Sequence, residues 1–195
     1  MKLTPLFSKQ NYQKLLKLPK FSLKSPETFT AINLGSRYLK GLIVKENKIT
    51  DFFLKERQDL AGTLRQIWQE KKISTDRVRL SLKDPSTLVR YFSFPKLEKK
   101  KMRQTLFYEL NKHIPFSPED VYFDFSILEE THPSEAFLVL AVAKKDFINS
   151  ILDIFEKEKL KVLDITLYSI CLMNFFLQSI LENKINSCIL DVGNS

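Results

Sequence analysis

Apolar and polar residues alternate along the first part of the chain. This two-residue period predicts β-strands, because successive side chains of a strand point to opposite faces of a sheet. The first predicted strand ends at Gly35, and the second and third are joined at Glu46-Asn47, a step that favours a tight turn. Three strands with such short connections predict an antiparallel meander. They span residues 29–34, 38–45 and 48–54.

A helix and a fourth strand are predicted next. Leu60, Leu64 and Ile67 recur at the spacing of one helix face, and Asp59 directly before them is a suitable N-cap. Residues 77–82 return to strict alternation, which predicts another strand.

The middle of the chain predicts a unit of three strands and two helices in the order βαββα. Its first strand closes at Pro95, and its first helix ends before Pro115, since a proline disfavours helix in the residue that precedes it. We expect both helices to cover one face of the sheet. The strands are residues 87–94, 121–128 and 136–143, and the helices lie at about 98–113 and 147–155.

The last part of the chain predicts a strand, an almost entirely apolar helix and a final strand. They fall at residues 161–166, 168–182 and 187–191. A helix that is apolar on most sides is expected to lie between layers of structure.

The composition predicts where in the cell the protein is located. The 195 residues are 44% hydrophobic and 28% charged, which is typical of a folded globular protein. No apolar stretch reaches the roughly 20 residues of a membrane span, and no secretory signal follows the N-terminal lysines. Cys171 and Cys188 lie in apolar surroundings, which predicts free thiols in a reducing compartment. These features predict a cytoplasmic protein.

Positive charge is concentrated in a basic N-terminal segment, residues 1–28, within a chain of net charge +8. Lysines there are interleaved with leucines and phenylalanines, and prolines break any long helix. Two interpretations stand. The segment is a loosely ordered tail, or it contacts an anionic membrane surface, to which lysine and large apolar residues together are suited.

Two short loops carry the candidate chemistry. Residues 31–36 read Ala-Ile-Asn-Leu-Gly-Ser, and residues 189–195 read Ile-Leu-Asp-Val-Gly-Asn-Ser. Each is an apolar strand followed by Asx-x-Gly and a small polar residue, a turn whose amides can bind an anion and whose carboxylate can hold Mg²⁺ through water. One such turn is common hairpin chemistry. Two copies, far apart in the sequence, predict two related domains that bind one nucleotide between them.

The chain resembles the PilM family of type IV pilus assembly proteins, within the wider actin and FtsA superfamily. The resemblance covers about residues 29–195, and its inserted middle segment is the most specific part. Its first element is Ile32-Asn33-Leu34-Gly35-Ser36 followed by Lys40, which is similar to the family's D-I-G-S-x-x-x-K phosphate loop. The further matches are Arg90 to Pro95, Glu109, Ile114-Pro115-Phe116, Val121 to Asp124, Leu140 to Lys145, Leu160 to Val162 and Asp191-Val192-Gly193.

The resemblance implies an α/β fold with an actin-like (ribonuclease-H-like) N-terminal domain and an inserted βαββα subdomain. It also implies that the chain is a fragment that stops before the second actin-like half. The expected divisions are a basic tail at 1–28, the first part of subdomain 1A at 29–84, an inserted 1C-like subdomain at 85–160, the return to subdomain 1A at 161–186, and the start of the second domain at 187–195.

The resemblance also implies a function: a cytoplasmic component of pilus assembly, recruited to the inner membrane. It would bind the cytoplasmic N-terminal peptide of a PilN-like inner-membrane protein, with ATP and Mg²⁺ as ligands of the full-length protein. The nucleotide-binding residues would be Asn33, Gly35, Ser36, Lys40, Asp191 and Gly193, with Asp191 as the Mg²⁺ ligand through water.

One departure from the family pattern bears on catalysis. Asn33 stands where the family has Asp, and an amide binds Mg²⁺ more weakly than a carboxylate. This argues against ATP hydrolysis and leaves open a scaffold with a degenerate pocket. Other members of the superfamily are alternatives: a GspL-like scaffold of a type II secretion system, an FtsA-like division adaptor or a sugar-kinase-like enzyme. The inserted segment argues against the sugar kinase.

Lys99, Lys100 and Lys101 form a basic patch at the start of a predicted helix, where cations oppose the helix dipole. The patch is a solvated surface or a docking site for an acidic partner or lipid headgroups. Nucleic acid is not the expected partner. Aromatic residues such as Phe52, Phe92 and Phe107 fall in patterns that predict core burial, so they would not form an exposed stacking platform.

Overall fold

The computed structural model describes residues 27–132 and 134–180, so the N-terminal segment and the predicted strand at 187–191 lie outside the described residues. The described ranges contain eight strands and four α-helices. The strands are β1 (Phe29–Leu34), β2 (Tyr38–Lys45), β3 (Lys48–Glu56), β4 (Arg77–Leu82), β5 (Thr87–Pro95), β6 (Val121–His132), β7 (Glu135–Lys144) and β8 (Lys161–Leu167). The helices are α1 (Leu60–Glu70), α2 (Lys99–His113), α3 (Lys145–Lys157) and α4 (Tyr168–Ile180). None of the helices in these ranges is long and apolar enough to span a membrane.

Five strands form a mixed sheet in the order β3-β2-β1-β4-β8. The predicted meander of β1, β2 and β3 is confirmed, since both of its pairings are antiparallel. Strands β4 and β8 add to β1 in parallel. Parallel pairing brings the carboxyl ends of β1, β4 and β8 to the same edge of the sheet, where a ligand site is common in α/β proteins.

The inner face of this sheet packs against α1 and α3. Leu64 and Ile67 of α1 are buried there. The helix begins as predicted at Asp59, whose carboxylate accepts a hydrogen bond from the Gly62 amide at 3.0 Å. This cap satisfies one of the free amides of the first turn, so the helix starts where its apolar stripe starts.

The second sheet is antiparallel, in the order β5-β7-β6. Helix α2 covers one face of it and buries Met102, Leu106 and Leu110. The expectation that both helices cover one face of this sheet is wrong. Ile148, Ile151 and Phe155 of α3 pack into the core of the five-stranded sheet, and that core also includes Ala143 of β7. An apolar stripe shows that a helix is buried on one side, and it does not identify the sheet that covers it.

Strand β3 places two adjacent phenylalanines on opposite faces of the sheet. Phe53 is 7% exposed and lies in the core, whereas Phe52 is 69% exposed on the outer face. The prediction that Phe52 is a core residue is therefore wrong. Only one of two neighbouring strand residues can face the core. Because both residues are aromatic, the sequence pattern does not show which one is buried. Ile49 and Leu54 of the same strand are exposed as well.

Candidate functional site

A cleft of about 630 Å³ opens at the carboxyl ends of β1, β4 and β8. The β1–β2 turn forms one wall, the segment from Leu82 to Val89 forms another, and the first residues of α4 form the third. Ligands of open α/β sheets bind in this position because the loops that leave the strand ends converge there. The cleft is therefore the expected position of the predicted phosphate-binding site.

The β1–β2 turn is held by its own backbone. The Gly35 amide donates to the Tyr38 carbonyl at 3.1 Å, and a Cβ at position 35 would lie 3.0 Å from the same oxygen. The Arg57 amide and guanidinium donate to the carbonyls of Arg37 and Ser36. Glycine here permits the close approach of the turn. Its amide is used within the turn, so a bound anion would need other donors.

Asn33 connects two strands of the sheet at the cleft. Its amide nitrogen donates to the Ser81 hydroxyl at 3.2 Å and approaches the Ser81 carbonyl at 3.5 Å. On the other side, Asn33 is the cross-strand partner of Lys40 in the β1–β2 register. Opposed residues of an antiparallel pair project to the same face, so Lys40 stands beside Asn33, and it is exposed.

Charged side chains of both signs line the cleft. Arg37 pairs with Glu56 at 2.9 Å. That hydrogen bond raises the pKa of Arg37 above its ordinary value. Lys83 lies with its ammonium 5.3 Å from the centre of the Tyr168 ring, a cation–π distance. Asp84 accepts the Ser86 amide at 2.8 Å in an Asx-turn.

The structure brings some predicted site residues together and leaves others apart. Asn33, Gly35, Ser36 and Lys40 all line the cleft. Asp191 and Gly193 lie outside the described residues, so the predicted closure by two glycine turns stays a prediction. Helix α2, which begins at Lys99, covers the three-stranded sheet, and its exposed Lys100 and Lys101 do not line the cleft. Their docking role also stays a prediction.

Sequence reasoning missed Lys83 and Asp84, which line the same cleft. The available signal was a charged pair followed by proline directly after the alternating strand at 77–82. Its meaning depends on the parallel pairing of β1 with β4, because that pairing puts the end of β4 next to the phosphate-type loop.

A second, mostly apolar groove of about 360 Å³ lies between the two sheets. Strands β6 and β7 form one side, and α3, β8 and the start of α4 form the other. Both β6 and β8 are terminal in the strand orders of the described sheets. Terminal strands have backbone groups without a ladder partner, which can pair with an added strand. The apolar lining includes Val139, Ala141, Ile148, Ile165 and Ile170.

Comparison with known proteins identifies a matching family and similar solved structures. A family model described as type IV pilus assembly protein PilM matches residues 33–195. A solved PilM-PilN type IV pilus biogenesis complex matches with a TM-score of 0.63 at 18% identity, over 71% of this chain and 46% of that chain. The cytoplasmic domain of EpsL, an inner-membrane component of the type II secretion system of Vibrio cholerae, matches with a TM-score of 0.55 at 15% identity, over 72% and 57%. No curated protein matches by sequence.

These likenesses confirm the predicted actin-like α/β fold. The chain spans about half the length of the solved structures that it matches. At such low identity, these matches are evidence for a shared fold only.

Proposed function

Because the chain belongs to the PilM family of type IV pilus assembly proteins, we propose that it serves pilus assembly as an actin-like scaffold with two ligands. The cleft at the strand ends binds the phosphates of a nucleotide, with ATP as the first candidate. The apolar groove between the sheets binds the cytoplasmic N-terminal peptide of a PilN-like inner-membrane protein. Binding to that protein recruits the chain from the cytoplasm to the inner membrane.

The observation that carries the nucleotide part is the convergence of Asn33, Gly35, Ser36 and Lys40 on one cleft at the carboxyl ends of three parallel strands. These are the residues that resemble the family's first phosphate loop. A lysine ammonium is a common phosphate ligand because it is a compact charge with three donors. The proposal contains no hydrolysis step, since Asn33 supplies no carboxylate.

Titration calorimetry of the 195-residue chain with ATP tests this part. Replacing Lys40 with alanine should weaken binding by about tenfold, the loss of one charge-assisted hydrogen bond. Lys45→Ala is the matched control, because Lys45 is an exposed lysine at the other end of the same strand. Equal weakening by the two variants would show that net charge, and not the cleft, holds the nucleotide.

The peptide part rests on the shape and chemistry of the groove. An extended peptide binds well where a terminal strand offers free backbone groups and neighbouring pockets take apolar side chains. The groove has β6 and β8 on its two sides and isoleucines between them. The solved PilM-PilN type IV pilus biogenesis complex, which shares this fold, pairs PilM with PilN.

A bulky residue in the groove should block the peptide. Ser126 of β6 is exposed and lines the groove, so Ser126→Trp is expected to weaken binding of a labelled PilN-like N-terminal peptide by more than about tenfold, the size of effect that loss of an interface pocket produces. Ser93→Trp is the control, since Ser93 is exposed on β5 at the opposite edge of the same sheet. Unchanged anisotropy titrations for Ser126→Trp would place the peptide elsewhere.

A GspL-like role in type II secretion is the second candidate, and the fold shared with the EpsL domain favours it. The family model favours the pilus. Binding of the matching EpsL-partner peptide in place of the PilN-like peptide would reverse that preference.

A further inference from the structure

We propose that the outer face of the five-stranded sheet binds an anionic lipid surface directly. The contact consists of an apolar patch on β2 and β3, made of Leu42, Ile49, Phe52 and Leu54, with lysines at both of its ends. It goes beyond recruitment by a PilN-like protein, because lipid headgroups alone would hold the chain at the membrane.

The apolar patch is continuous across the two strands. Ile49, Phe52 and Leu54 are 66%, 69% and 61% exposed, and Leu42 is 39% exposed. Leu42 and Phe52 are cross-strand partners and share the outer face. The register shift in the same pairing sets Ile49 opposite Val44, which returns Ile49 to that face.

The patch is uncovered within the described residues. Helices α1 and α3 pack on the opposite, inner face of the sheet, and no described residue buries the exposed side chains of β3. A group of neighbouring exposed apolar residues is typical of a protein or membrane contact. The surrounding charges therefore have to indicate which of the two covers it.

The lysines at the ends of the patch favour an anionic surface. Lys45 and Lys48 are cross-strand partners at the β2–β3 turn, where they outnumber Glu46, and Lys40 is opposite Leu54 at the other end. The three lysines are exposed, and none has an ion-pair partner within residues 27–132 and 134–180. Ammonium groups beside large apolar side chains suit a lipid interface, where the charges meet headgroup phosphates and the apolar groups enter the acyl boundary.

The N-terminal segment joins the described chain at the same end of the patch as the β2–β3 turn. The Glu27 amide donates to the side-chain oxygen of Asn47 at 3.0 Å, and the Asn47 amide donates to the Glu27 carbonyl at 3.0 Å. The Glu27 carboxylate also pairs at 2.8 Å with Arg79, which neighbours Ala31 on the outer side of β4. The chain therefore enters the sheet on the face that carries the patch.

The charge of that segment separates a lipid surface from the other candidate occupants. Residues 1–26 contain six lysines and no acidic residue. Repulsion between like charges opposes docking of this segment on a patch whose ends are lysines, and it opposes a second copy of the chain there for the same reason. An anionic lipid surface attracts both the segment and the patch, so the two can bind it together.

Co-sedimentation of the 195-residue chain with lipid vesicles tests the proposal. We expect binding to vesicles of equal parts phosphatidylglycerol and phosphatidylcholine, and no binding to phosphatidylcholine alone. Phe52→Asp should weaken binding to the anionic vesicles by at least about tenfold, because it removes an apolar contact and adds a negative charge. Ile49→Ser, which changes no charge, should weaken binding by about threefold or more.

Tyr108→Asp is the matched control, since it makes the same change of charge at an exposed aromatic residue of α2, which covers the other sheet. Its affinity should stay within about threefold of the native value. Circular dichroism of each variant verifies that it is folded. The comparison of anionic with neutral vesicles uses the native chain alone, so that result does not depend on any variant.

The outcomes are distinct from those of the proposed function, because the vesicles contain no PilN-like protein. Native chain that stays unbound with anionic vesicles overturns the proposal. Equal affinities for Phe52→Asp and Tyr108→Asp also overturn it and assign membrane binding to the N-terminal lysines alone. A dimer in sedimentation velocity that Phe52→Asp abolishes would assign the patch to a second copy of the chain instead.

Discussion

Replacing Phe155 with alanine will lower the free energy of unfolding by about 3–5 kcal/mol, the range measured for large aromatic truncations in protein cores. The side chain is 0% exposed and lies among the buried residues between α3 and the five-stranded sheet. Its removal loses apolar burial and leaves a cavity that a packed core closes only in part. Urea denaturation followed by circular dichroism measures the change.

Phe52→Ala is the matched control for this prediction. It also removes a phenylalanine side chain, but from strand β3 on the outer face of the five-stranded sheet, where 69% of the residue is exposed. We expect a loss below about 1 kcal/mol, since surface substitutions away from packed features have small effects. Similar losses for the two variants would mean that α3 does not close the core of this sheet, or that the outer face is covered.

Replacing Gly41 with alanine is expected to destabilise the chain by about 1–3 kcal/mol, the usual effect of forcing extra volume into a packed core. A Cβ at this position would lie 2.7 Å from the Ala31 carbonyl and would also overlap the Phe53 ring. Gly41 is the cross-strand partner of Phe53, and the ring lies over the backbone that glycine leaves uncovered. The Phe53 ring could move, but the Ala31 carbonyl belongs to the sheet backbone.

The double variant Gly41→Ala, Phe53→Leu separates the two contacts. Removing the ring should recover part of the loss caused by Gly41→Ala, and the remainder reports the backbone contact, as read from a double-mutant cycle in urea. A Gly41→Ala variant as stable as the native chain would contradict the packing of Phe53 over this glycine.

Several elements could be predicted from the sequence because their signals are local. The strand at 77–82 and the helix start at Asp59 match the structure, since alternation and capping depend only on neighbouring residues. The meander followed from three strands with short connections. The resemblance of the Asn33–Lys40 segment to a phosphate loop was also visible, because that motif is contiguous.

Other features depend on contacts between distant parts of the chain. The pattern of α3 predicts one buried side, but the choice of the five-stranded sheet as its cover follows from the return of the chain to β8. Phe52 and Phe53 are equally apolar, and only the position of the sheet's core decides which is buried.

The cleft shows the same division most clearly. The sequence by itself determined that a strand ends in Asn33 and Leu34, that Gly35 follows it, and that Lys40 lies on the next strand. Only the tertiary structure decided that β4 pairs in parallel with β1 and brings Lys83 and Asp84 to the same site. The physical reason is that the spacing of apolar residues shows which face of a helix or strand is buried. The order of the strands shows which distant element covers that face, and this order is a property of the whole fold.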